Sequence, residues 1–123
     1  MQNKVLIIDD NQDILDLTEL ILRDKGYEVK ASLTADILED ILLINPVLIL
    51  LDEWLKDSSG HKICEKLKST KATQHFKIVL FSAINGLKDI AEHCMADSYI
   101  EKPFDIENLL DTINNLLLPV KVS

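Results

Sequence analysis

"KVLIIDDNQDIL", residues 4–15, ends a run of apolar residues on two adjacent aspartates and then resumes a mostly apolar rhythm. Val5 to Ile8 has the length and unbroken hydrophobicity of a strand covered on both faces. Like charges at its end, Asp9 and Asp10, repel each other, so their placement asks for a use. Val47 to Leu51 and Ile78 to Phe81 are further apolar runs of strand length and read as central strands of the same sheet. Tyr27 to Ser32 and Ser98 to Ile100 are more polar and suit its edges. Between the strands, apolar residues repeat at helical spacing: Ile14, Leu17 and Ile21 before the stop signal Gly26, then Ile37, Leu38, Ile41 and Leu42, then Ile63 and Leu67. Leu87, Ile90, Ala91 and Cys94 form a fourth set, and Ile106, Leu109, Leu110, Ile113, Leu116 and Leu117 a fifth. Five strands alternating with five helices predict an α/β, doubly wound parallel sheet with helices on both faces, because each parallel connection needs a crossover.

Composition bounds what such a fold does. A chain of 123 residues, 47% hydrophobic with 3 Gly and 3 Pro, is expected to form one soluble globular domain. No stretch has the length of a membrane span, and the start MQNKVLII lacks the features of a signal peptide, so a cytoplasmic location is expected. Cys64 and Cys94 fall in apolar helical patterns and read as small core residues in a reducing compartment. A net charge of −8 disfavours direct binding to nucleic acid or to anionic membrane and favours a protein partner or a cation. There is no internal repeat or low-complexity segment; the domain is expected over 1–119, with a short tail at 120–123.

In a doubly wound sheet the functional cleft lies beyond the carboxyl ends of the strands. Asp9 and Asp10 end the first strand, Asp52 the third, Ser82 the fourth, and Lys102 with Pro103 the fifth, so all converge on one rim. Singly, each has a bland explanation: Asp10 as the cap of the following helix, Ser82 as a turn residue, Lys102 as a solvated lysine. Jointly they describe a chemistry. Crowded carboxylates are relieved by a hard divalent cation, and Mg²⁺ joins one or two carboxylates to a phosphoryl oxygen. An aspartate can itself attack phosphorus when metal, lysine and hydrogen-bond donors offset the incoming charge. Asp52, in the middle of the rim, is the candidate nucleophile.

"LIIDDNQDIL", "LILLDEWLKDSSG", "VLFSA" and "ADSYIEKPF" resemble, in that order and across essentially the whole chain, the receiver domains of bacterial two-component response regulators, chemotaxis regulators included. The resemblance implies a flavodoxin-like receiver fold with strand order 2-1-3-4-5. It implies a phosphorylation-dependent switch in which Asp52 accepts a phosphoryl group from a sensor histidine kinase or a histidine phosphotransfer protein and then engages a downstream protein target. Such a domain is no enzyme in the ordinary sense; it assists its own phosphorylation and dephosphorylation. By resemblance, Asp10 binds Mg²⁺ directly and Asp9 mainly through water, with Asp52 and the backbone carbonyl of Trp54 completing the protein ligands. Ser82 donates its hydroxyl and Ala83 its backbone N–H to the phosphoryl oxygens, Lys102 pairs with the phosphoryl group beside a cis Lys102–Pro103 bond, and Tyr99 is the aromatic switch residue. Trp54 and Ile84, bulky and apolar, stand where side chains tune the lifetime of the phosphoryl group by obstructing water. The chain is either a stand-alone receiver or the receiver part of a longer regulator.

Some positions depart from the pattern. Lys56 replaces a usual proline and Ser58 a frequent methionine, which predicts a more mobile loop from Glu53 to Ser59, ahead of Gly60 and the expected cap Ser59. Met95 lies near a usual glycine, and the stretch from Ser82 to Lys102 is shorter than usual, which predicts a short or irregular fourth helix. Two other readings share the chemistry or the architecture. A flavodoxin-like mononucleotide binder needs a Ser/Thr/Gly-rich phosphate loop where this chain has "DDNQD". A haloacid-dehalogenase-like phosphatase also uses aspartate, lysine, hydroxyl and Mg²⁺, but carries D-x-D after the first strand and usually a cap domain.

Overall fold

The computed structural model describes residues 3–118; the expected domain boundary at 119 and the tail at 120–123 lie outside them. Strands β1 (Lys4–Ile8), β2 (Glu28–Ser32), β3 (Leu48–Leu51), β4 (Lys77–Ser82) and β5 (Ser98–Glu101) form one parallel sheet in the order β2-β1-β3-β4-β5. The winding direction reverses between β1 and β3, which opens a crevice at their carboxyl ends. The helices are α1 (Gln12–Asp24), α2 (Ile41–Ile44), α3 (Gly60–Ser69), α4 (Leu87–His93) and α5 (Ile106–Leu117).

Strand side chains alternate between faces, so an unbroken apolar strand feeds two cores. Val5 and Ile7, with Leu48, Leu50, Val79 and Phe81, pack against Leu15 and Leu22 of α1 and Leu109 and Ile113 of α5. Leu6 and Ile8, with Ile49, Leu51, Ile78 and Leu80, pack on the other face against Ile41, Leu67, Leu87 and Ala91. Cys64 and Cys94 are unbridged and fully buried in this second core, as their apolar surroundings in the sequence predict.

Two segments differ from expectation. The second helical pattern resolves into a 3₁₀ turn, Ala35–Asp40, followed by a single α-helical turn. Only Ile41 of this segment is buried, so little packing enforces α geometry there. The segment from Glu53 to Ser59, expected to be a mobile loop, contains a small antiparallel hairpin pairing Trp54–Leu55 with Ser58–Ser59, and Leu55 inserts into the second core.

Helices α1 and α4 close in the same way with different residues. After α1, the Gly26 N–H donates to the Arg23 carbonyl at 3.0 Å and the Tyr27 N–H to the Leu22 carbonyl at 3.1 Å, the two bonds of a Schellman motif. Gly26 takes the left-handed φ of 91° that the motif needs. After α4, which has the short length expected of it, the Met95 N–H donates to the Glu92 carbonyl and the Ala96 N–H to the Ala91 carbonyl, with Met95 at φ 65°. A methionine in that conformation is strained, and at 70% exposure its side chain recovers little by packing. Met95→Gly is therefore expected to raise stability by about 0.5–1 kcal/mol in urea denaturation, the relieved strain being partly offset by the entropy of a glycine in the unfolded chain. A lower midpoint for Met95→Gly would show that the Met95 side chain contributes contacts that outweigh its strain.

Candidate functional site

The rim forms because the sheet ladder runs one residue past β1, β3 and β5, while Ser82 is the last residue of β4. The Asp9 N–H donates to the Ser32 carbonyl at 3.1 Å and the Asp52 N–H to the Ile8 carbonyl at 3.0 Å, which sets Asp52 beside the end of β1. The Lys102 N–H donates to the Ser82 carbonyl at 2.9 Å, which carries Lys102 to the same rim from the sheet edge. The Lys102–Pro103 bond is cis.

Asp9 is buried and fully engaged: its Oδ1 accepts from the Asn11 N–H at 2.9 Å and its Oδ2 from Lys102 Nζ at 2.5 Å. Asp10 is exposed at the mouth of the crevice. The explanation of Asp10 as a helix cap fails, because Asn11 is the cap of α1 and accepts from the Ile14 N–H at 3.1 Å. Lys102 Nζ also lies 3.7 Å from Asp52 Oδ2 and 4.8 Å from the centre of the Phe81 ring, whose face favours a cation. Ser82 is buried, Ala83 is exposed just beyond it, and Tyr99 and Ile84 are partly buried against the second core. Trp54 is 62% exposed, two residues after Asp52.

Burial pushes the Asp52 carboxyl from 3.8 up to about 6, and the charge of Asp9 adds to this; Lys102, hydrogen bonding from Ser82 and the Trp54 backbone oppose it. One carboxylate oxygen from each of Asp9, Asp10 and Asp52 falls within 4.8 Å of the others. Three carboxylate oxygens gathered so closely, one of them held back from ionising, are compatible with a hard divalent cation such as Mg²⁺. Of the residues predicted from sequence, Asp9, Asp10, Asp52, Ser82 and Lys102 thus meet at one rim, whereas Trp54 and Ile84 follow two residues after Asp52 and Ser82 and Tyr99 lies within β5 against the second core.

Glu53 follows Asp52 directly in the chain, yet its carboxylate pairs with His61 instead of joining the acidic cluster. It is buried, and its carboxylate accepts from both the backbone N–H and the ring Nδ1 of His61, at 2.8 and 2.6 Å. No periodic signal links Glu53 and His61, because a hairpin separates them. Ser59 occupies the N-cap position of α3, as expected, but makes no capping hydrogen bond. A cavity of about 500 Å³ between the 3₁₀ turn, the hairpin and α3, floored by Leu38, Ile41, Leu55, Ile63 and Leu67, contains none of the rim residues.

The model of the response regulator receiver domain matches residues 5–114. Protein PilG of Pseudomonas aeruginosa is 30% identical over 113 residues, which cover 89% of this chain and 84% of PilG. The DNA-binding dual master transcriptional regulator RpaA of Synechocystis is 30% identical over 117 residues, 93% of this chain and 48% of RpaA. This chain therefore spans about half the length of RpaA, and only 9% of the adventurous-gliding motility protein Z of Myxococcus xanthus, to which it is 29% identical. Among solved structures, a CheY-like response regulator receiver domain protein from Methanospirillum hungatei superposes with a TM-score of 0.84 at 32% identity, covering 94% of this chain and 93% of that one. The signal receiver domain of a response regulator from Bermanella marisrubri gives a TM-score of 0.87 at 27% identity, covering 96% and 100%. These likenesses leave the phosphatase and mononucleotide-binder readings without support. With the family model spanning all five strands and PilG aligned over most of both chains, the chain belongs to the response regulator receiver domains of two-component signalling.

Proposed function

We propose that this domain is a phosphorylation-dependent switch in which Asp52 accepts a phosphoryl group from a phosphohistidine on a sensor histidine kinase or a histidine phosphotransfer protein. The observation that carries this reading is a buried Asp52 with Lys102 Nζ at 3.7 Å, set between the acidic pair and Ser82. An Asp52 oxygen attacks phosphorus, the phosphorus–nitrogen bond of the donor breaks, and an acyl phosphate remains on Asp52. Lys102, which holds Asp9 in the resting domain, is close enough to Asp52 to offset the charge that arrives. The Ser82 hydroxyl and the Ala83 N–H donate to the phosphoryl oxygens. Asp9, Asp10, Asp52 and the Trp54 carbonyl would hold Mg²⁺, which supplies charge neutralisation at the transferring group.

Tyr99 and Lys102 leave the same sheet edge, so movement of Ser82 toward the phosphoryl group and inward turning of Tyr99 give a downstream protein target a changed surface. The domain acts in the cytoplasm, as a stand-alone receiver or as part of a longer regulator, without contacting nucleic acid or membrane itself. It assists its own phosphorylation and dephosphorylation but turns over no other substrate.

Incubation with acetyl phosphate and Mg²⁺ is expected to add one phosphoryl group by intact mass, and Asp52→Asn to abolish the adduct. An adduct that persists in Asp52→Asn would remove Asp52 from the acceptor role. Decay of the same adduct tests the lifetime residues. Trp54→Asn, which exchanges an exposed apolar shield for a side chain able to orient water, should speed loss by up to about tenfold, or ~1.4 kcal/mol of barrier; Ile84→Glu should act in the same direction. Unchanged decay in both would show that neither side chain governs water.

The raised Asp52 pKa gives a stability test. The folded state holds this proton more tightly than the unfolded chain, so the contribution is complete below pH 3.8 and is lost as pH rises through about 6. In chelator, Asp52→Asn should therefore gain on the wild type across that window, ending roughly 3 kcal/mol ahead at pH 7, while saturating Mg²⁺ should narrow the gap. Parallel denaturation midpoints for the two proteins from pH 3.8 to 7 would contradict an uncompensated carboxylate cluster.

A further inference from the structure

The backbone after Asp52 leaves the sheet, makes the hairpin and enters α3, and something must fix it while Asp52 reacts. The hairpin tip does not: Lys56, Asp57 and Ser58 are exposed, and Leu55 alone reaches the core. Ser59, at the N-cap of α3, does not either, because its Oγ is buried without any hydrogen-bond partner. The capping role has passed to Glu53. Its Oε1 accepts from the N–H of His61 in the first turn of α3 at 2.8 Å, its Oε2 from His61 Nδ1 at 2.6 Å, and its backbone carbonyl from the Gly60 N–H at 2.9 Å. A carboxylate 3% exposed must be paired to be tolerated, so these contacts constrain both partners. Gly60 completes the joint. A Cβ there would collide with the Asp52 backbone carbonyl, so the first turn of α3 rests directly on the Asp52 peptide. On its other side, the Asp52 N–H is fixed to the Ile8 carbonyl at 3.0 Å.

We infer that Glu53, seated on His61, is a positioning residue that holds the Asp52–Trp54 backbone in register for phosphoryl transfer, in place of the missing Ser59 cap. The inference rests on Asp52 being the phosphoacceptor, as proposed above. Glu53 touches neither the phosphoryl group nor the metal seat; it acts through the peptide that carries Asp52 and the Trp54 carbonyl.

The test compares wild type, Glu53→Ala, Glu53→Gln and His61→Ala, each first checked for folding by circular dichroism. With acetyl phosphate at saturating Mg²⁺, Glu53→Ala should be phosphorylated about tenfold more slowly and His61→Ala about threefold more slowly. Glu53→Gln, whose amide oxygen still accepts from the His61 N–H, should recover most of the rate. A second readout needs neither metal nor phosphodonor: Trp54 is the only tryptophan in the chain, so its fluorescence anisotropy in chelator reports on this segment. It should fall in Glu53→Ala and His61→Ala and be restored in Glu53→Gln. A folded Glu53→Ala with wild-type rate and anisotropy would overturn the inference. Should Glu53→Ala fail to fold, His61→Ala decides alone, and wild-type behaviour there overturns it. If wild type takes up no phosphoryl group, the acceptor assignment is what fails, and anisotropy still judges whether Glu53 holds the segment.

Discussion

Carboxylate oxygens from Asp9, Asp10 and Asp52 lie within 4.8 Å of one another with one ammonium group among them, and the upper end of the sheet is arranged around that imbalance. Lys102 cannot neutralise all of them. It sits 2.5 Å from Asp9 and 3.7 Å from Asp52, and burial, with the charge of Asp9 added, outweighs it at the central carboxylate, whose proton is held more tightly than usual. The Phe81 ring beneath Nζ, with the Phe104 ring tilted against it at 5.1 Å between centres, gives the lysine a favourable face without adding charge. The rim is thus short of positive charge at rest, a condition that a divalent cation relieves.

The frame that bears this strain is not equally firm throughout. Helix α3 is tied at both ends: Glu53 holds its first turn, and Lys68 near its last turn reaches Asp97 Oδ2 and the Phe76 carbonyl, both at 2.8 Å. The same Asp97 oxygen accepts from the Ile78 N–H at the start of β4, so α3, β4 and the entry to β5 share one half-buried junction. Helix α4 is tied more weakly: among the described residues, the side-chain hydrogen bond that anchors it to α3 is that from Cys64 Sγ to the Cys94 carbonyl at 3.3 Å. It spans only Leu87–His93, begins at a left-handed Gly86 that provides no side-chain cap, and ends in the strained Met95 turn. The less firmly tied side of the domain therefore lies between Ser82 and Tyr99, the residues through which the proposed switch would run.

Much of this was legible in the sequence because it is written in nearest-neighbour chemistry. Unbroken apolar runs mark strands covered on both faces, and the polar residues that end them must share a rim once the sheet is parallel. Asp9, Asp52, Ser82 and Lys102 were readable for that reason. The failures share a different cause. The 3₁₀ turn before α2 has a helical apolar period but too little buried surface to enforce α geometry. The hairpin after Asp52 and the Glu53–His61 pair depend on contacts across a turn, which periodicity does not encode. Ser59 and Asp10 each have the residue type of a cap, but Glu53 and Asn11 do the capping. Residue type marks who can cap; geometry decides who does.

The central claim is that Asp52, and not its acidic neighbours, carries the phosphoryl group. Borohydride reduction of the phosphorylated protein converts an acyl-phosphate aspartate to homoserine, and peptide mass spectrometry then locates it. Conversion at Asp52 alone, requiring Mg²⁺ and absent in chelator, is the result this account predicts. Conversion at Asp9 or Asp10, or equal conversion of Asp52 with and without Mg²⁺, would contradict it.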